Sequence, residues 1–167
     1  MQNSVIANVK KCCTISESHK VFARGSIFVA ENFIFSDGTK GKKLLVLLNN
    51  PASNDPYLLV KTTSQKHSKP DNPGCIENYH QVYFVRSNSP FFKKDTWIQL
   101  DDCFPFSQKT IDKKLKHIGV LPDKTAKLII SCFLKINEQD LSPKVHSYIV
   151  PKITQGISAL ANKFNKR

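Results

Sequence analysis

The chain has 167 residues, 40% of them hydrophobic, and a formal net charge of +12 from 25 Lys+Arg against 13 Asp+Glu. That length suits one domain able to bury a core of its own. No apolar run nears the roughly eighteen residues of a membrane-spanning helix, and the first residues lack the long apolar stretch of a signal peptide, so the expectation is a soluble, cytoplasmic protein with no membrane span.

Residues 1–20 read as an N-terminal extension, with Lys10, Lys11 and Lys20 against Glu17. Their Cys12 and Cys13 are adjacent, while Cys75, Cys103 and Cys132 are scattered; five in all is an odd count, which argues for reduced thiols rather than a disulfide framework. Residues 21–140 form the expected domain and hold 17 basic against 12 acidic side chains. Residues 141–167 read as a basic tail with five cations and no acid. Most of the excess charge is therefore terminal. A basic protein suits a polyanion such as nucleic acid, and it equally suits plain solubility.

The domain opens with Gly25 to Phe35, rich in β-branched and aromatic residues and closed by the turn-forming Ser36-Asp37-Gly38-Thr39-Lys40-Gly41. This predicts a strand followed by a basic loop. Leu44 to Leu48 is a continuous apolar run stopped by Asn49-Asn50-Pro51, as expected of a strand buried on both faces. Tyr57 to Ser64 is a third strand. Gln65 to Asn78, with Pro70, Pro73 and Gly74, should be an exposed loop. Gln81 to Arg86 and Thr96 to Leu100 complete five strands.

The period then changes. Ser107 or Thr110 can cap a short helix through Lys116, and Pro122 can open a longer one to about Lys135. In the longer helix Ala126, Ile129, Ile130, Phe133 and Leu134 make one apolar stripe. Pro151 can start a final amphipathic helix whose apolar face carries Ile149, Ile153, Ile157, Leu160 and Phe164, with Gly156 weakening it. Such a helix can dock a partner or a membrane interface, but surface helices more often bury their stripe locally, and local packing is the expectation. Five strands followed by helices favour a small, strongly bent sheet or barrel with helices added at one side.

His67, Cys75, His80 and Cys103 could be read as a zinc set, yet their spacings contain no paired ligands and miss the usual zinc patterns. Unrelated surface histidines and a cysteine packed as a small apolar residue explain them better. Cys75 with His80 matches no nucleophile motif. Lys61-Thr62-Thr63-Ser64-Gln65-Lys66-His67 says more: a strand ends in hydroxyls and runs into a basic loop. Hydroxyls and cations together can hold a phosphodiester and stabilise the charge that develops when a ribose 2′-OH attacks phosphorus. The plainer reading is a strand end whose hydroxyls satisfy nearby backbone groups.

Six phrases in order then resemble the MazF/PemK family of toxin ribonucleases. They are Arg24-Gly25-Ser26-Ile27-Phe28-Val29, Lys43 to Asn49, Val60 to Ser64, Thr96 to Asp102, Ile111-Asp112-Lys113-Lys114-Leu115, and Leu121-Pro122-Asp123-Lys124. The similarity covers about residues 24–136. It implies a small SH3-like barrel of five to six strands followed by C-terminal helices, mainly β with α, and usually dimeric. It also implies metal-independent cleavage of single-stranded RNA, no cofactor, and an antitoxin protein as partner. Carried over by position, Lys43 stands where the family has an arginine and would stabilise the pentacovalent phosphorane. Thr63 and Ser64 would orient the scissile phosphate. Lys40, Lys42, Lys61, Gln65, Lys66, His67 and Lys69, in or beside the two loops flanking Thr63, would grip RNA. Three positions depart from the pattern: Lys43 for arginine, Leu44 for proline, and Asp102 for glutamine. A lysine cannot offer a phosphate the bidentate fork of an arginine. Two readings follow, an endoribonuclease and a non-catalytic module of the same fold that binds nucleic acid or a protein.

Overall fold

The computed structural model describes residues 21–35, 37–87 and 91–150. The N-terminal extension and the segment from Pro151 on, with the expected final helix, lie outside the described residues. Eight strands and three helices follow in order: β1 (Ser26–Ile34), β2 (Lys40–Leu47), β3 (Tyr57–Thr63), β4 (Gly74–Ile76), β5 (Val82–Val85), β6 (Thr96–Gln99), β7 (Phe104–Phe106), α1 (Gln108–Lys114), β8 (Leu115–Val120), α2 (Asp123–Ile136) and α3 (Pro143–Ile149). The strands form one antiparallel sheet in the order β4-β5-β6-β3-β2-β1-β8, with β7 joined to β3 beside this path. The protein is thus mainly antiparallel β with helices.

The apolar run of β2 explains why β1, β2 and β3 lie at the centre. Successive side chains of a strand point to opposite faces. Leu45 and Leu47 enter one cluster with Phe22, Phe28, Tyr57, Leu59 and Ile111 of α1. Val46 and Leu48 enter the other, with Ile27, Leu58, Val60, Ile98 and the α2 residues Ile129 and Phe133. A strand buried on both faces needs a cover on each, and α1 and α2 supply them. Each fully buried Leu, Ile or Phe contributes about 1.5–3 kcal/mol, so the two clusters together dominate the stability of the fold.

Of the predicted α2 stripe, Ala126, Ile129, Ile130 and Phe133 are buried, and Leu134 packs half-buried against the same cluster. Of the two candidate caps Ser107 is the one that caps α1, its side chain accepting from the Thr110 amide at 3.2 Å. Asn49, almost fully buried, closes the turn between β2 and β3: its Nδ2 donates to Pro56 O at 2.9 Å and its Oδ1 accepts from the Leu58 amide at 3.0 Å. Gly25 makes the entry to β1 with φ +82, and an added Cβ would lie 2.9 Å from Ala126 Cβ. Only glycine satisfies both the left-handed backbone and the close approach of α2.

Three strands differ from expectation. β4 lies inside the stretch expected to be loop, where Gly74-Cys75-Ile76 pairs with β5. β7 contains Pro105, which has no amide to donate, and it pairs on one side only, opposite Leu58. β8 begins where a helix through Lys116 was expected: Leu115 is already extended (φ -120, ψ 135), and Leu115–Val120 pairs with β1. The basic run Lys113-Lys114 suits a helix C-terminus, and the alternation that follows it belongs to an edge strand.

The cysteines are a further correction. Cys75 on β4 and Cys132 on α2 form a disulfide, so neither is a reduced thiol and Cys75 is not packed as a small apolar side chain. Two positions scattered in sequence meet because the β4-β5 hairpin folds onto α2. Among the described residues Cys103 is the free thiol, and no helix there is long and apolar enough to cross a membrane.

Candidate functional site

β2 enters the sheet through its polar end. Lys40 and Lys42 are exposed, Gly41 and Lys43 half-buried, and the apolar run begins at Leu44. Ala30 pairs with Lys43 but Phe33 with Gly41, so β1 carries an extra residue across from this stretch. Such a bulge bends the strand and re-aims its side chains. The chain then turns at Asp37 to Thr39, where Phe35 donates its amide to Thr39 O at 2.9 Å and accepts from the Gly38 amide at 3.0 Å. This turn sets the Phe35 ring beside β2. Lys43 Nζ lies 5.5 Å from the ring centroid, and Gly41 lets the ring approach, since a Cβ there would stand 2.8 Å from Phe35 Cε2.

β3 runs antiparallel to β2, with Leu45 opposite Lys61, so the hydroxyl-rich end of β3 comes beside Lys43. Phe35, Lys42, Lys43, Leu44, Thr62, Thr63, Ser64, Gln65 and Thr96 line one pocket of about 420 Å³. Its described lining holds two cations, four hydroxyls and an amide, and no carboxylate. Of the residues predicted from sequence, Lys42, Lys43, Thr63, Ser64 and Gln65 therefore meet.

The electrostatics are uneven. Burial, and after it the charge of Lys61, hold Lys43 below its ordinary pKa of 10.5. Lys61 is turned toward Phe104, with Nζ 4.7 Å from that ring centroid. Lys42 pairs with Glu31 at 3.3 Å. The hydroxyls differ in freedom as well. Thr62 Oγ1 donates to Leu44 O at 3.0 Å and so ties β3 to β2. Thr63 Oγ1 accepts from the Gln65 amide at 3.2 Å, the local turn that the plainer reading expected. That contact uses a lone pair, which leaves the Thr63 proton available to a phosphate oxygen.

Other predicted residues lie apart. Lys40 sits opposite Ile34 at the start of β2 and does not line the pocket. Lys66, His67 and Lys69 belong to the following loop and are engaged within it: Lys66 Nζ meets Asp71 Oδ2 at 2.9 Å, His67 Nε2 meets Gln65 Oε1 at 3.0 Å, and Lys69 Nζ donates to Gln65 O at 3.3 Å. His67 and Lys69 brace Gln65, Lys66 holds Asp71, and none of the three lines the pocket. Trp97 Nε1 donates to Pro70 O at 2.8 Å and fastens the middle of this loop to β6.

Phe35, Leu44, Thr62 and Thr96 line the pocket but were not among the predicted site residues. Phe35 had a visible signal, an aromatic ending a strand just before a basic loop. Thr96 had none, because its place depends on the pairing of β6 with the end of β3.

The zinc reading of His67, Cys75, His80 and Cys103 has no support, since Cys75 is bonded to Cys132. Among the described residues no three His, Cys, Asp or Glu side chains gather in a metal-binding group. Compared with protein-family models and with curated proteins, the chain matches none.

Proposed function

We propose that the Lys43–Thr63 pocket binds single-stranded RNA and cleaves it without metal, as an SH3-like barrel ribonuclease of MazF/PemK type would. The observation that carries this reading is the convergence of Lys43 with Thr63, Ser64 and Gln65 in one pocket without a carboxylate. A phosphodiester is an anion flanked by acceptors, and ammonium and hydroxyl donors complement it. An anion arriving there also offsets the two unfavourable influences on Lys43, its burial and its neighbour Lys61. The Phe35 face beside Lys43 suits an unstacked base, which single strands supply and duplexes do not.

In the reaction the ribose 2′-hydroxyl oxygen attacks phosphorus as its proton passes to solvent, and the 5′-oxygen leaves and takes a proton from solvent, giving a cyclic phosphate and a 5′-hydroxyl. Lys43 lies where charge builds on the phosphorane oxygens, and Lys61 adds to the field. Thr63 and Ser64 donate hydrogen bonds from their hydroxyls to the phosphate oxygens and so fix the phosphate. Lys42 and Gln65 hold the neighbouring backbone.

A second reading, binding without cleavage, is favoured by one observation. Lys43 offers a single ammonium, and neither described arginine lines the pocket: Arg24 pairs with Asp123 at 3.2 Å and Arg86 lines a different groove. A point charge holds a phosphate less firmly in one orientation than a guanidinium fork does.

The proposal extends to a homodimer, an antitoxin protein as partner, and a cytoplasmic setting, where the Cys75–Cys132 bond meets reducing thiols. Fluorescence anisotropy with a labelled single-stranded RNA tests the shared part of both readings. Affinity should fall steeply with salt, by about 0.7 logarithmic units per phosphate contact for each tenfold rise in salt, and Lys43→Ala should weaken it. A flat salt response, or an unchanged affinity in the variant, overturns the proposal.

A further inference from the structure

The Cys75–Cys132 bond lies away from the Lys43–Thr63 pocket, and the proposed function makes no use of it. Its two ends differ. Cys75 is exposed on the three-residue strand β4, whereas Cys132 is 3% exposed in the middle of α2. A groove of about 590 Å³ runs beside the bond between β4, β5 and α2. Gly74, Cys75, Glu77, Arg86, Leu128 and Lys135 line it, among others. Gly74 has φ +113, and a Cβ placed on it would meet nothing within 4 Å; access to Cys75 rests on its own exposure. Glu77 is paired with Lys135 at 2.8 Å. Arg86, exposed at the end of β5, leaves the groove with one cation in excess of its carboxylate, although Asp71 lies within reach of its charge.

We propose that this bond is a thiol-exchange site for a small anionic thiol of the glutathione class, a tripeptide carrying two carboxylates, whose thiolate attacks Cys75 Sγ from the groove. A groove of this volume suits a ligand of tripeptide size. Cys132 also lines the groove, but at 3% exposure it offers an incoming thiol far less surface than the exposed Cys75. In the first step the incoming sulfur bonds to Cys75 Sγ, the Cys75–Cys132 bond breaks, and its electron pair leaves on Cys132 Sγ, which takes a proton from solvent. Lys135 stands one helical turn beyond Cys132 and brings a cation to the side where that thiolate forms. In the second step another thiol attacks the mixed disulfide, releasing the oxidised tripeptide and the Cys75 thiolate. Two small thiols are oxidised to one disulfide and the protein disulfide is reduced to two thiols. The Lys135–Glu77 ion pair and the short β4–β5 ladder then remain to hold β4 near α2. The inference stands apart from the RNA reading and does not require it.

The test treats the folded full-length protein with glutathione, with uncharged 2-mercaptoethanol and with cationic cysteamine at matched thiolate concentrations, quenches in acid, and maps mixed disulfides by peptide mass. The expected result is a mixed disulfide on Cys75, formed several-fold faster with glutathione than with cysteamine. Arg86→Ala should remove most of that preference, and Arg86→Lys should restore it. Circular dichroism during the exchange verifies that the protein stays folded. A mixed disulfide on Cys132, exchange only after unfolding, or a preference for the cationic thiol each overturns the proposal.

Discussion

The charge of Lys61 on β3 acts on Lys43 on β2, and together with the burial of Lys43 it holds that ammonium below its ordinary pKa of 10.5. The folded protein therefore binds this proton less readily than the unfolded chain does. Stability rises as pH climbs through the window ending at 10.5 and carries the full cost of the charge below it. Lys43→Met should thus raise Tm at pH 7, with the gain shrinking as pH approaches that value. The same variant should lose about 1.5–3 kcal/mol of RNA affinity, the worth of a hydrogen bond to a charged group, roughly tenfold or more in Kd. Thermal melts at several pH values and anisotropy titrations read the two effects separately. A variant that loses stability and keeps its affinity contradicts this account of Lys43.

Gly25 joins β1 to α2. Its amide donates to Leu47 O at 2.7 Å, and its carbonyl accepts from the Leu121 amide at 2.9 Å. Gly25→Ala places a β-carbon at φ +82 and 2.9 Å from Ala126 Cβ. Left-handed strain and overpacking together should cost about 2–4 kcal/mol, lowering Tm by roughly 5–15 °C. A melt within a degree of the parent would show that α2 can shift to make room.

How much of this was legible in the sequence varies by element. The run Leu44 to Leu48 announced a doubly buried strand, and the stripe from Ala126 to Phe133 announced a packed helix, because both patterns are local and strong. β4, β7 and β8 were hidden, since each is short or irregular and extended only through a partner: Cys75 opposite Tyr83, Pro105 opposite Leu58, Leu115 opposite Ala30. The disulfide was hidden for the same reason, as its cysteines are separated by 57 residues. In the candidate site Lys43, Thr63 and Ser64 line one pocket because β2 and β3 are neighbours, whereas Lys66, His67 and Lys69 looked like ligands because sequence shows their charge and not their partners.

Trp97 stacks on Phe84 with centroids 4.9 Å apart and donates its indole N–H to Pro70 O. Trp97→Phe keeps the ring contact and removes the donor. The loss should be about 0.5–1.5 kcal/mol, concentrated as faster amide exchange over residues 65–73, with little change in β1 or β2. Uniformly faster exchange across the sheet would mean that Trp97 supports the core and not the loop.

Cys103 is half-buried, and burial followed by the nearby Asp102 charge pushes its thiol up to about 11. The thiolate is the reactive form, so Cys103 should alkylate with iodoacetamide far more slowly at pH 8 than a free thiol in a peptide. Its rate should rise about tenfold per pH unit until the pH nears that value. Rapid modification of Cys103 at neutral pH in the folded protein, resolved by peptide mass from Cys12 and Cys13, would contradict the described environment.

The proposed role of Lys43 and Thr63 is cleavage of a phosphodiester. Its most direct test is incubation of a long single-stranded RNA with the full-length protein in EDTA, beside Lys43→Ala and Thr63→Val. The parent protein should give discrete fragments ending in 5′-hydroxyls, and either variant should give them at least about tenfold more slowly. RNA left intact at high protein concentration, or fragments that appear equally fast with both variants, would contradict it.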